Sequence, residues 1–549
     1  MAGLNLWPLS AARGVRFTLT VTTPNPTLAA EVARRRTFAI ISHPDAGKTT
    51  LTEKLLLYAG AIELAGAVRG RKSERAVVSD WMDIERERGI SVTSAAVEFD
   101  IGEHHLTLLD TPGHKDFSED TYRTLFAVDG VVMVIDAAKG IEAQTRKLFE
   151  VCKLRKLPVL TFINKLDQPS RDPFDLLDEI ERVLGIHAVP MNWPIGSGDR
   201  FRGVFDLQNA VVHFYERKGR AQEAPVQVSS AHDPRLANLL GQQAWQHLID
   251  ETSLVTGAGT VFDLRAYLEF RHTPVFFGSA LSNFGLEPFL KALTELAPPP
   301  GPRMSDHGLI PPDSPNFSGF VFKIQANMNR RHRDRIAFLR VCSGVFEKDM
   351  VITNARQGAE IRAARPYRFF GGKRETIERA YPGDVVGLVN PGQFGIGDTL
   401  YSDQPLQYPP IPRFPAEHFG IARLRDVRFK QFDDGIRQLE EEGLMQVLYP
   451  TVGRREPILG TVGPLQLEVL KARLENEYNV ACDVDSLPYK AARWVVGPAD
   501  KIAAMSASTA GTRSASDRDG RPMILFESEW ALEYCERNNP DVKLLAVMP

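Results

Sequence analysis

The residues with the clearest chemical use are Gly47, Lys48 and Thr49, which close the segment Ser42-His43-Pro44-Asp45-Ala46-Gly47-Lys48-Thr49. A glycine, a cation and a hydroxyl in succession suit a polyphosphate. Backbone N–H groups at a helix start point at the anion, the lysine adds charge at the β- and γ-phosphates, and the threonine ligates Mg2+. Ser42 stands where the G-x-x-x-x-G-K-[ST] pattern has its first glycine, and a small residue still fits there. Asp110, in Asp110-Thr111-Pro112-Gly113-His114, is the Walker-B type carboxylate that holds Mg2+ through water. The Gly113 N–H reaches the γ-phosphate, so its loop senses whether that group is present. Asp167, in Asn164-Lys165-Leu166-Asp167, can accept hydrogen bonds from the N1 and N2 donors of guanine. Adenine offers no matching pair and would leave the carboxylate unpaired, so the ligands are GTP and GDP with Mg2+.

These groups meet only if each sits at the same edge of one sheet. Open α/β sheets bind ligands beyond the C-terminal ends of their strands. Thr37–Ile41 and His105–Leu109 are short apolar runs that deliver the phosphate loop and Asp110. Leu51, Leu55 and Tyr58, at i, i+4 and i+7, start a helix directly after Lys48. Val131–Ile135 and Leu157–Ile163 are too apolar to alternate, as expected of strands covered on both faces, and the second ends in Asn164. A last strand, Pro274–Phe277, ends in Gly278-Ser279-Ala280, whose N–H groups are expected to face the guanine O6. About a hundred residues separate Asp167 from Gly278, far more than a connection in a compact domain needs, so an inserted subdomain is expected over about 168–273.

Phosphoryl transfer needs an in-line water, charge neutralisation and positioning more than covalent help. His114 directly follows the γ-sensing glycine, where its imidazole can orient the attacking water. The charged, glycine-broken stretch Arg86–Thr93 lies where a switch loop belongs. A hydroxyl there, Ser91 as first choice and Thr93 as second, is expected on Mg2+ while the γ-phosphate orders the loop.

At 549 residues the chain exceeds one hydrophobic core and suggests roughly three to four domains. Its 43% apolar and 25% charged residues are those of ordinary soluble proteins, and no run approaches the length that spans a bilayer. A net charge of −3 argues against global attraction to nucleic acid and leaves local basic patches for any RNA contact. Cys152, Cys342, Cys482 and Cys535 form no C-x-x-C pair, which removes zinc-ribbon and thioredoxin readings and predicts free thiols in a reducing compartment. Residues 1–26 carry Arg13 and Arg16 but no continuous apolar core, so a disordered extension or an upstream start is favoured over a cleaved signal.

With these residues in hand, the GTP-binding part resembles the translational GTPases of the elongation factor G and elongation factor Tu group. His-Pro-Asp-Ala-Gly-Lys-Thr-Thr, Arg-Gly-Ile-Ser and Asp-Thr-Pro-Gly-His match their phosphate loop and two switches, and small signalling GTPases lack that histidine. Ser91, where elongation factors carry threonine, and the wording from Ser42 to Thr50 are similar to the bacterial peptide chain release factor 3 family. The resemblance runs from about Thr27 to about Val496. It implies that His114 is catalytic only when ribosomal RNA positions it. It further implies a cytoplasmic, monomeric factor that binds ribosomes after peptide release and drives the codon-reading release factor off.

The rest of the chain agrees with that layout. Ala297 to Pro315 is a proline-rich, stiff linker that ends a GTP-binding domain spanning about 27–300. Short strand-like runs such as Phe320–Ile324, Ile336–Val341 and Val385–Val389 predict a small β-barrel over 313–405. The basic run Arg330–Arg335 between them is a candidate RNA contact. Beyond Tyr408–Pro412, helices marked by Phe432, Ile436, Leu439 and by Leu467, Leu470, Leu474 alternate with strands, which predicts an α+β, ferredoxin-like domain over 413–549. Glu440-Glu441-Glu442 reads as a solvated helix end rather than a metal site. Three rivals differ in kind: a translocase, which shares three domains but continues for two more; a nucleotide-gated binder without turnover, opposed by His114; and an ATP-using enzyme, opposed by Asp167.

Overall fold

The structure is a computed structural model that describes residues 26–59, 95–112, 116, 118–214, 225–257, 261–326, 335–370, 373–425, 427–451, 456–505 and 511–548. Ser91, Thr93, Gly113 and His114 therefore lie outside the described residues, as do Arg330 to Asp334 and the first 25 positions.

The apolar runs form the sheet expected of them. Strands β1 (Arg35–Ser42), β2 (Ala95–Ile101), β3 (His104–Asp110), β4 (Gly130–Asp136), β5 (Val159–Asn164), β6 (His187–Pro190) and, after an insert holding β7 (Asn192–Ile195), β8 (Gly203–Asp206), β9 (Val211–Phe214) and β10 (Val226–Gln227), strand β11 (His272–Phe277) are the elements of this domain. The main sheet has seven strands in the order β2-β3-β1-β4-β5-β11-β6, and all its pairs are parallel except β2 with β3. β1 and β4 are buried along their whole length, because helices cover both faces.

Two expectations are corrected here. The insert does not begin at residue 168: the helix Pro173–Leu184 and β6 extend the main sheet, and only β7 to β10 make a separate four-stranded sheet. Its Trp193 packs edge-on against Phe277 and shares the core of the main domain. Nor is the proline-rich linker a bare spacer. It contains the hairpin Arg303–Ser305 with Gly308–Ile310, and Arg303 Nη1 donates to Phe126 O at 2.9 Å.

The second domain is an eight-stranded antiparallel sheet around its own core of Phe317, Val321, Leu339, Val386 and Leu400. It is fastened to the first by buried ions. Arg340 lies between Asp129 and the Gly383 carbonyl, and Arg35 Nε donates to Asp384 at 2.7 Å.

The third domain is the largest surprise. Cys482–Ser486, His418–Leu424, Ile458–Thr461 and Gln446–Pro450 are ordered as in a ferredoxin-like βαββαβ unit, with fourth, first, third and second strands side by side. The residues that follow repeat the same plan: Ala491–Val496, Thr512–Ser516, Pro522–Phe526 and Lys543–Leu545 make a second unit, joined to the first through Tyr449 and Ser516. The Glu440–Glu442 run is not a solvated helix end either. Glu442 is buried in a bidentate pair with Arg473 at 2.9 and 3.1 Å, Glu441 pairs with Arg335 and Arg518, and Glu440 accepts from Val447 N–H. No cluster of metal-ligating residues occurs among the described residues.

Candidate nucleotide site

β1 ends at Ser42, and the helix Lys48–Tyr58 begins six residues later with Gly47 as its cap. No side chain caps that helix, which leaves its first-turn N–H groups to an anion. Asp45 and Gly47 bend the loop through left-handed backbone, at φ 66° and 101°. Gly47 is required twice over, since a Cβ there would stand 2.2 Å from Asn164 Nδ2. Ser42 takes the loop's first position in ordinary backbone, buried, with its Oγ unpaired among the described residues. His43 Nε2 meets Glu142 at 2.9 Å on the helix after β4.

Lys48 and Asp110 converge at the ends of neighbouring strands. Lys48 Nζ donates to Asp110 Oδ1 at 2.8 Å and to the Thr111 carbonyl, and all three groups are buried. Thr111 Oγ1 donates to Ile40 O at 2.7 Å and ties the loop after β3 to β1. Pro112 is buried beside it. Thr49 follows Lys48 in the same helical turn, half buried.

The base side is organised by Asn164. Its Nδ2 donates to Ala46 O and its Oδ1 accepts from Ala280 N–H, both at 2.8 Å, so one carboxamide clamps the phosphate loop to the loop after β11. Lys165 stands in left-handed backbone and reaches Asp136 Oδ2 at 2.8 Å. Burial alone would raise the Asp136 carboxyl, but Lys165 and the Ala138 and Lys139 N–H groups hold it below the usual range. Leu166 is a core residue, fully buried; its N–H donates to Gly278 O, and it spaces Asn164 from Asp167 rather than presenting a ligating side chain. Asp167 Oδ1 is buried and has no hydrogen-bond partner among the described residues. A buried carboxylate oxygen left open is costly unless a ligand pairs it, and paired donors of a guanine fit.

Among the described residues, the N–H groups expected to face the guanine O6 each have a partner already. Gly278 N–H donates to Ile163 O, Ser279 N–H to Phe284 O and Ala280 N–H to Asn164 Oδ1. These residues brace the clamp, and a contact to O6 would have to share one of those bonds. Sequence reasoning also missed Asp136, Glu142 and Asn192. Asn192 accepts from Phe277 N–H at 2.7 Å and so pins the insert to the strand that delivers Gly278. None of the three belongs to a spaced motif, and their roles come from contacts across the fold.

Three family models match in succession: the elongation factor Tu GTP binding domain over residues 33–299, elongation factor G domain 2 over 316–403, and the class II release factor RF3 C-terminal domain over 408–536. A peptide chain release factor 3 of Synechococcus elongatus is 53% identical over 94% of both chains. That of Gloeobacter violaceus is 51% identical over 96% of this chain and 99% of its own. A crystal structure of a Thermus thermophilus protein shares the fold at 22% identity, with a TM-score of 0.66 over 88% of this chain and 72% of its own. The site binds guanine nucleotide, and the chain belongs to the peptide chain release factor 3 family as a translational GTPase of the termination step.

Proposed function

We propose that this GTPase acts in the cytoplasm on ribosomes that have released their peptide, and that its nucleotide cycle drives the codon-reading release factor off. The observation that carries the reading is likeness over nearly the whole chain, with a C-terminal match specific to release factors, around a site whose open carboxylate at Asp167 suits guanine.

In this reading Asp167 fixes the base, Asn164 holds the phosphate loop to the base loop, and Lys48 exchanges Asp110 for the β- and γ-phosphates. Thr49 and Asp110, with Ser91, are an all-oxygen set of the kind Mg2+ prefers, and the buried Asp110 carboxylate fits it. Held by these residues, the ion would supply neutralisation of the charge that builds on the phosphates. His114 orients the attacking water once ribosomal RNA positions its ring. The test is GTP hydrolysis by the wild-type chain and His114→Ala, with and without ribosomes. The reading requires a wild-type rate that rises at least about 100-fold on ribosomes, and a variant that binds GTP normally but gains little. Equal rates with and without ribosomes would contradict it.

A further inference from the structure

The helix Glu529–Asn538, in the second βαββαβ unit, has two unlike faces. Ser528 caps it through a 3.2 Å hydrogen bond from Ala531 N–H. Its inner face buries Ala531, Leu532 and Cys535 against Val495, Ile524 and Phe526. Its outer face carries Trp530, Glu533, Tyr534 and Arg537 at i, i+3, i+4 and i+7.

Two features set the outer face apart. Trp530 is 61% and Tyr534 38% exposed, yet their rings stack on each other, centroids 5.2 Å apart and 22° from parallel. A pre-stacked pair offers a large apolar area whose ordering cost is already met, which is how aromatic anchors work at protein interfaces. The rim is acidic. Glu527, Glu529, Glu533, Glu536 and Asp541 are all exposed; of the cations near them, Arg537 lies 4.0 Å from Glu533 and Lys501 lies 3.5 Å from Asp541. A phosphate backbone would be repelled by that rim. A cationic protein surface would be attracted, and an arginine can lie flat over the exposed indole.

We propose that this face is a docking site for a basic, arginine-bearing protein surface of the ribosomal termination complex. The proposal rests on the functional reading above and adds to it a contact remote from the nucleotide. The Trp530–Tyr534 pair is the anchor, and Glu529 and Glu533 select the partner's charge.

The test uses the full chain with a non-hydrolysable GTP analogue, and ribosomes carrying a codon-reading release factor. Binding is compared for wild type, Trp530→Ala, and the pair Glu529→Lys with Glu533→Lys. Loss of the anchor is expected to weaken binding about tenfold or more. The charge reversal is expected to weaken it too, and to remove part of its salt dependence. All three side chains point away from the core, so the melting temperatures should stay together, and ribosome-independent GTP binding is the control for folding. Unchanged binding by both variants overturns the docking face while leaving the functional reading intact. Tighter binding after charge reversal overturns it in favour of an RNA partner. A wild-type chain that fails to bind ribosomes overturns both.

Discussion

Asp116 in the GTPase domain accepts a 2.7 Å hydrogen bond from the N–H of Leu465 in the C-terminal domain, 349 positions along the chain. Leu465 is the second residue of the helix Pro464–Tyr478, whose cap, Gly463, has no side chain and whose first residue has no N–H. A carboxylate from another domain therefore does what a capping serine or aspartate does within one. Gly463 leaves it room, because a Cβ there would stand 2.1 Å from Asp116 Cγ. The neighbouring helix Ser118–Ala127 adds Arg123 on the carbonyls of Glu442 and Gly443, at 3.4 and 3.2 Å, and Asp120 on Lys323 of the barrel at 3.2 Å. The segment after Asp110-Thr111-Pro112 is thus fastened to both other domains.

Asp116→Ala should lower stability by about 1 kcal/mol, the usual worth of a cap, and Asp116→Asn, which keeps an acceptor, should recover most of it. Gly463→Ala should cost more, since the new methyl group and the carboxylate cannot share the space. Calorimetric melting of the three variants measures this, and an unaltered Gly463→Ala would show that the two domains do not meet in this way.

Asp167→Asn replaces an acceptor-only carboxylate with an amide that would meet the guanine N1 and N2 donors partly with N–H groups of its own. Nucleotide competition should show GTP affinity falling by about 100-fold and xanthosine triphosphate becoming the better ligand. Unchanged GTP affinity would refute the base assignment.

Arg340 is fully buried, and burial pulls its guanidinium below the ordinary arginine range even with Asp129 beside it. Arg340→Met would take from Asp129 its nearest cation, leaving Arg303 3.6 Å away and the field of Arg155, and would leave the Gly383 carbonyl with the Thr37 hydroxyl as its donor. Losing one partner of a buried pair costs about 3–5 kcal/mol, and urea unfolding should show it. A double change of Arg340 and Asp129 to apolar residues should cost much less.

Glu440 carries a pH signature. Burial pushes its carboxyl from the ordinary 4.5 up to about 7, against the pull of Val447 N–H and Arg518. The folded protein then holds a proton that the unfolded chain has released, so this contribution is complete below about pH 4.5 and is lost as pH rises toward 7. Glu440→Gln keeps the acceptor without the charge. Its stability should fall less steeply between those values and exceed that of wild type by about 1–3 kcal/mol at pH 8. Parallel curves for the two proteins would contradict the assignment.

The candidate site was legible because its residues are local words at strand ends: Lys48 after a glycine, Asp110 closing His104–Asp110, Asp167 after Val159–Asn164. What escaped was set by pairings distant in sequence. The strand Thr512–Ser516 reads Thr-Arg-Ser-Ala-Ser, with no apolar alternation, and becomes a strand because Pro522–Phe526 and Gln446–Pro450 flank it. The Glu440–Glu442 run looked solvated because its arginines lie 31 to 106 positions away. The donors after Phe277 looked free because Asn164 and Phe284 had not yet been folded onto them.

Ejection of a codon-reading release factor by this chain is measured directly as the dissociation rate of a labelled one from post-termination ribosomes. The chain with GTP should speed dissociation by about tenfold or more over ribosomes alone, and Asp167→Asn should do so with xanthosine triphosphate instead. If the labelled factor leaves at the same rate whether or not the chain and GTP are present, while ribosome-stimulated hydrolysis proceeds, the assignment of its output is wrong.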